Sequence, residues 1–564
     1  MVDMLVEDGV AQTSYVNSKR GGWVTFPFII GVVIGTGIAA GGWLGNLVVF
    51  LIQEFSVGSI KATQIGNVLN GCVSLFPVVG AIIADSLSGC YLVIATSSCI
   101  CVLGLSLFNL IVWLDSLRPQ HCEKGSSMCP SPSKTQLSVL YLATVLATIG
   151  IGGTRFIIGT MGANQFNKTE DQEIFFNWYF FTMYFFVMLS GTAVVYIEDN
   201  MSWRWGFGIC LVANAITLAI FLFGNRFYRH TEPQGSPFLD LGRVLVATIR
   251  KMKVPLSNRI EDYYCSHDGA ATKMNGAPSK SFRFLNRAAL ITEGDITSDG
   301  LVARKWRLCT MQQVEDLKSL IRIFPVWSSN IFLSTPIGII ISLAVLQALT
   351  MDRHLGSHFK IPAGSFPVVV ILSASFFIPF IDRFLCPTWH KLVGRPLTPI
   401  QRIGSGHVFN MLGITVSAIV EAKRLKIAHA HIHNSNHKNV GFIVPVSGLW
   451  LFPQLVLLGM GEAFHFPGNV SLYYKEFPSS LKGTATAMAA LTIGIAFYLG
   501  TAIVDLVRRV TNWLPDDINY GRLDNVYWTV LVIGVLNFFY FLVCARLYNY
   551  QNFGKEDNSS TDDK

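Results

Sequence analysis

Twelve apolar blocks constrain this chain more than any other feature. They fall near 23–52, 66–88, 91–114, 136–161, 178–197, 205–224, 321–349, 366–386, 402–422, 446–472, 484–507 and 526–547. An α-helix of about twenty residues crosses a hydrocarbon core of roughly 30 Å, and each block is long enough to do so. Only 14% of the 564 residues are charged while 51% are hydrophobic, against about 25% charged in an ordinary soluble domain. A soluble globule could not hide so much apolar surface. The expected fold is an all-α membrane protein with twelve transmembrane helices.

The spacing of the blocks suggests two helical halves. A polar N-terminal segment (1–22) precedes six closely spaced blocks (23–224), a polar linker follows (225–320), six more blocks run to 549, and 550–564 form a polar, acidic tail. The first block is far longer than a signal-peptide core, so no cleaved signal is expected. The linker carries Arg226, Arg229, Arg243, Arg250, Lys251, Lys253, Arg259, Lys280, Arg283, Arg287, Arg304, Lys305 and Arg307. By the positive-inside rule it is cytoplasmic, and an even helix count puts both termini there too. This topology, rather than nucleic-acid binding, accounts for the net charge of +8. Lys423, Arg424, Lys426 and Lys438 run against the rule, since they fall between the ninth and tenth blocks, on the external side. Within the linker, Phe238 to Lys251 sets apolar and basic residues at helical spacing, fitting either an amphipathic helix on the membrane surface or a soluble bundle helix. Residues 254–303 show no sustained periodicity and are expected to be flexible.

Several chemistries are disfavoured. No Gly-x-x-x-x-Gly-Lys-Ser/Thr loop occurs, so energy must come from gradients rather than ATP, and no cofactor is implied. The run from Gly150 to Arg155 is glycine-rich but lies inside an apolar block, where small residues serve close helix packing. His429, His431, His433 and His437 could hold a metal, but they are expected in a solvated loop without rigid helical spacing. None of the eleven cysteines forms a Cys-x-x-Cys pair, and most lie within or beside apolar blocks, which argues against structural zinc. Cys122 and Cys129 share one external loop, either bridged or as free thiols.

Ionisable residues deep in a bilayer are costly and mark function by default. Two stand out: Arg155, in the inner half of the fourth block, and Glu462, near the middle of the tenth. They form either a buried pair that only locks the halves together or part of a transport site.

At these residues the chain resembles the plant nitrate and peptide transporter family, a branch of the proton-coupled oligopeptide transporters within the major facilitator superfamily. The resemblance runs from Gly21 to about Tyr550. It rests on Gly80-Ala-Ile-Ile-Ala-Asp-Ser-Leu-Ser-Gly, Gly152-Gly-Thr-Arg with Gly162-Ala-Asn-Gln-Phe, and Phe175-Phe-Asn-Trp-Tyr-Phe-Phe in the first half. In the second half it rests on Leu320-Ile-Arg-Ile-Phe-Pro-Val-Trp, Trp450-Leu-Phe-Pro-Gln with Gly461-Glu-Ala-Phe, and Tyr520-Gly-Arg-Leu-Asp-Asn-Val-Tyr-Trp. It implies a major facilitator fold.

Departures from the family pattern carry most of the functional information. The family's helix-one Glu-x-x-Glu-Arg motif, which couples transport to protons, aligns with Val33, Thr36 and Gly37, so all three charged groups are lost. Arg155 replaces a fourth-helix lysine, Glu462 matches a tenth-helix glutamate, Tyr184 and Phe186 replace an Asn and a Gly of the fifth helix, and Ile337 stands where nitrate importers carry a histidine. Loss of the helix-one motif is similar to the family's nitrate-excretion branch. The resemblance therefore implies a plasma-membrane exporter of small inorganic anions, nitrate first and chloride second, rather than an enzyme. Arg155, Glu462, Tyr184 and Asn46 are its expected substrate-binding residues. The partners implied are the anion and the lipid bilayer. The alternatives are a carrier of a larger organic anion or plant metabolite, and a non-transporting nitrate sensor.

Overall fold

A computed structural model of the chain describes residues 21–119, 132–155, 157–230, 237–257, 259, 262–264, 279, 281–296, 304, 306–434, 442–476 and 485–548. Cys122, Cys129, His437, Lys438 and the two terminal segments lie outside the described residues.

Twelve helices are long and apolar enough to cross a membrane. Helices 1 to 6 span Gly22–Phe55, Ser59–Ile83, Gly89–Trp113, Lys134–Ala163, Ile174–Asn200 and Trp203–Arg226. Helices 7 to 12 span Met311–Leu349, Ala363–Val393, Pro399–His433, Gly448–Tyr473, Met488–Val510 and Leu523–Leu547. Each matches one apolar block. Helix 1 starts, and helices 6 and 12 end, on the side that bears the linker, called here the linker side; the opposite is the far side.

Close approach inside each half follows from small residues. In helix 4, a Cβ on Gly150 would sit 2.4 Å from Cys101 of helix 3, and one on Gly153 would sit 2.2 Å from the Ser97 hydroxyl. The glycine-rich run is thus a packing surface, as its position in an apolar block suggested. Helices 1 and 5 each contain a π-helical turn, Ala40–Leu44 and Ser190–Val194. The two turns interlock, with the Ser190 hydroxyl donating to the Ile38 carbonyl at 2.6 Å.

Two helices run well past their apolar blocks. Helix 7 begins at Met311, upstream of the expected end of the linker, behind a capping box in which Thr310 and Gln313 exchange hydrogen bonds. Its polar first turns bury Met311, Val314 and Leu317 against the linker. Helix 9 continues to its far-side end with His429 and His433 exposed, so the expected histidine loop is in fact helix. No group of three metal-ligating side chains occurs among the described residues.

Arg424 corrects the charge count at the far side. It is not a loop cation but is wholly buried, gripping Glu421 through Nε and Nη2 at 2.8 and 2.7 Å and donating to Asn519 at 2.6 Å. Gln347 also donates to Glu421, and Tyr527 donates to Gln347. An internal, compensated charge carries no topological signal.

The described part of the linker is packed, not featureless. A linker helix (Pro237–Arg250) and a short 3₁₀ segment (Arg283–Ala289) share a core of Val244, Ala247, Leu285, Ala288 and Leu290 with the start of helix 7. Lys251, almost fully buried, meets the Asp295 carboxylate at 2.7 Å and the Leu290 carbonyl at 2.6 Å. Lost periodicity here reflects 3₁₀ and turn structure, not lack of order.

Short strands lie on the far side, three between helices 7 and 8 and one between helices 9 and 10. β1 (Met351–Asp352) pairs in parallel with β4 (Val444–Ser447), and β2 (His354–Leu355) pairs antiparallel with β3 (Phe359–Lys360).

Candidate functional site

A cavity of about 630 Å³ lies between the two halves. Helix 2 contributes Asn70 and Ser74, helix 4 Arg155, and helix 5 Phe180, Phe181, Tyr184 and Phe185. From the second half come Ser334, Ile337 and Ile341 of helix 7, Ser375 and Ile378 of helix 8, Glu462 and Phe466 of helix 10, and Ile493 and Phe497 of helix 11. Arg155 and Glu462 are the charged residues of this lining among the described residues.

Three of the four expected binding residues, Arg155, Glu462 and Tyr184, therefore share one cavity. They face it from different halves, so any substrate touching both ends bridges the halves. Arg155 lies within helix 4, and its carbonyl accepts a hydrogen bond from the buried Tyr179 hydroxyl of helix 5. Glu462 lies one helical turn before His465, which is buried and bonded to Asn469 at 2.8 Å. No ion pair links Arg155 to Glu462 among the described residues, and no hydrogen bond to the Glu462 carboxylate occurs among them either.

Asn46 is not part of the cavity, contrary to the expectation. It is buried at the far end of helix 1, where its amide donates to Glu198 at 2.9 Å and packs on Gly364. Its hydrogen-bond partner, Glu198, is on helix 5.

Helix 1 contributes nothing to the lining. Val33 and Thr36 are buried, and the Thr36 hydroxyl donates to Val32 and Val33 of its own helix. A Cβ on Gly37 would lie 3.1 Å from the Phe186 Cβ. Phe186 and the absence of a side chain at position 37 are thus complementary: helix 5 fills the space that a long basic side chain would need.

Asn70, Ser74, Ser334 and Ser375 were missed from sequence. Asn70 and Ser74 stand four residues apart in the second block, which puts both on one helical face, and that spacing was the available signal. The Asn70 amide and the Ser74 hydroxyl bond within their own helix, to Gly66 and Asn70 carbonyls at 2.9 Å each. Ile337 lines the cavity as an apolar wall.

The far side of the cavity is closed. Asp199 pairs with Arg353 at 3.3 Å, Tyr196 stacks on Phe359 at 5.5 Å, and Ser342 donates to Asn67. Each of these contacts joins the two halves. The cavity lies on the linker side of them, where Pro379, Ala490 and Arg155 are placed.

Two six-helix halves around a central cavity closed at one end define a membrane transporter of the major facilitator fold. The chain belongs to the POT family, whose model matches residues 91–520. It is 51% identical over 552 residues to Protein NRT1/ PTR FAMILY 2.7 of Arabidopsis thaliana, covering 98% of this chain and 97% of that one. Protein NRT1/ PTR FAMILY 2.6 of the same plant is 50% identical over 540 residues, 96% of this chain and 95% of the relative. Among solved structures, the POT family transporter PepTSo superposes with a TM-score of 0.69 at 17% identity, covering 94% of this chain and 99% of that one. An auto-inhibited POT family peptide transporter gives 0.68, also at 17%, over 94% of this chain and 98% of the other.

Proposed function

We propose that this protein exports a small inorganic anion across the plasma membrane by alternating access, nitrate first and chloride second, without obligatory proton coupling. In this reading the linker is cytoplasmic and the closed far side is external. The observation that carries it is the placement of a cation in the cavity: Arg155 of helix 4 lines it, the acid among its described lining residues, Glu462, stands on the other half, and helix 1 adds no acid. A guanidinium offers paired N–H donors to the planar oxygens of nitrate. Glu462 competes with the anion for Arg155 and sets the rate at which the halves exchange.

The direction follows from energetics. Carrying one negative charge into a cell at about −100 mV costs about 2.3 kcal/mol, so uptake needs protons. Outward movement gains the same amount, enough for a concentration ratio of about fifty, and requires no proton site.

The test is anion flux from proteoliposomes at clamped voltage, without a pH gradient. Potential-driven release of nitrate or chloride is expected, and strict stoichiometric proton symport excludes the proposal. A second reading, a larger organic anion, is favoured by the size of the cavity and by its aromatic wall of Phe180, Phe181, Phe185, Phe466 and Phe497. Flux of labelled organic anions in the same vesicles separates the two.

A further inference from the structure

The linker helix has two apolar faces, and only one is used. Val244, Ala247, Thr248 and Lys251 are buried in the linker core. On the other side, Leu245 and Ile249, with Met252 in the following turn, are 47%, 66% and 66% exposed. Their i, i+4, i+7 spacing makes one stripe. Leu241 continues that stripe, and it packs both on the linker core and on the membrane-level cluster of helices 7, 9, 10 and 12 that contains Ile323, Ile403, Leu472 and Phe541. The stripe therefore starts at the edge of the transmembrane bundle and extends outward from it.

Basic groups accompany the stripe. Arg250 and Lys253 are exposed beside it. Arg243 lies 5.8 Å over the ring of Trp306, which is itself 44% exposed. Residues 225–310 hold fourteen lysines and arginines against eight acidic residues. An exposed apolar stripe flanked by cations and an amphipathic aromatic ring, at the level where helices leave the bilayer, is the chemistry of an interfacial helix.

The geometry points to a docking surface for anionic phospholipid: the linker helix lies on the linker-side leaflet, with Leu245, Ile249 and Met252 among the acyl-chain boundary and Arg250 and Lys253 at headgroup phosphates. Because the helix is packed on helix 7, this contact ties the second half to the leaflet. The inference is independent of which anion the cavity carries.

The test uses the full chain in nanodiscs of phosphatidylcholine, with or without added phosphatidylglycerol, with the photo-crosslinker p-benzoylphenylalanine placed at Ile249. A second sample carries the crosslinker at the bilayer-level, exposed Leu412, as a control for lipid capture. Expected are phospholipid adducts at position 249, severalfold more abundant with phosphatidylglycerol, and loss of that preference in the Arg250→Gln, Lys253→Gln variant. Hydrogen exchange of the unaltered chain across Gly242 to Val254 should slow when phosphatidylglycerol is added. Adducts at 249 on the first six helices or on another protein, or lipid adducts at 412 alone, overturn the proposal, as does hydrogen exchange that ignores lipid charge.

Discussion

Asp199 at the end of helix 5 and Arg353 after helix 7 form, among the described residues, the one ion pair between the two halves, at 3.3 Å. The same guanidinium nitrogen donates to the Ile361 carbonyl at 2.9 Å, which fixes the arginine before the pair forms. Both side chains are about one-tenth exposed, so the pair is stronger than a surface ion pair yet remains able to open.

This pair is expected to hold the far side shut. Asp199→Asn should weaken closure by about 1–2 kcal/mol, a five- to thirtyfold shift in population. Spin labels on the far ends of helices 5 and 8 should report longer distances, and Asp199→Arg combined with Arg353→Asp should restore them. Unchanged distances in the single variant would mean that the Tyr196–Phe359 stack and the Asn67–Ser342 bond suffice.

Restoring a basic residue at position 37 should fail for steric reasons. Gly37→Arg drives a side chain into Phe186 and buries a charge, and overpacking alone costs about 1–3 kcal/mol. Little monodisperse protein is expected by size-exclusion chromatography. Phe186→Gly in the same chain should recover it, since the two positions fill one space.

Arg424 and its neighbour Lys423 should behave oppositely. Arg424→Ala strands the buried Glu421 carboxylate and should cost about 3–5 kcal/mol. Lys423 is exposed, with its ammonium 4.3 Å over the Trp450 ring, so Lys423→Ala should cost about 0.5–1 kcal/mol. Thermal unfolding in detergent compares the two.

Acid should loosen the linker through Asp295. Burial pushes its carboxyl up, but hydrogen bonds from Lys251 and Thr292 and the Lys251 charge outweigh that and hold it below its ordinary 3.8. A depressed folded pKa adds stability that is fully present above 3.8 and is lost as pH falls through the lower, folded value. Limited proteolysis of the linker should accelerate in that acid window, and Asp295→Asn should remove the step. An identical acid profile in that variant would assign the loosening to another group.

The twelve helices were legible because block length against bilayer thickness is a strong physical signal. Helix ends were not: Gln312, Gln313, Glu315, Asp316 and Lys318 hide the start of helix 7, whose buried Met311, Val314 and Leu317 acquire meaning only against the linker. Arg155 and Glu462 stood out because ionisable groups inside apolar blocks are costly and few, whereas Tyr184 entered through the family resemblance; the three line one cavity. Asn46 misled because its fate depends on Glu198, on another helix. The close approach of Gly37 to Phe186 was invisible for the same reason, since it joins helices 1 and 5.

The central claim is that Arg155 draws the anion into the cavity. The most direct measurement is efflux of labelled nitrate from vesicles holding matched amounts of the parent chain, Arg155→Lys and Arg155→Ala. Flux should collapse in Arg155→Ala and survive in part in Arg155→Lys, where the charge remains and only the two-pronged hydrogen bonding is lost. If Arg155→Ala releases nitrate as fast as the parent, the arginine is structural and the proposed site is wrong.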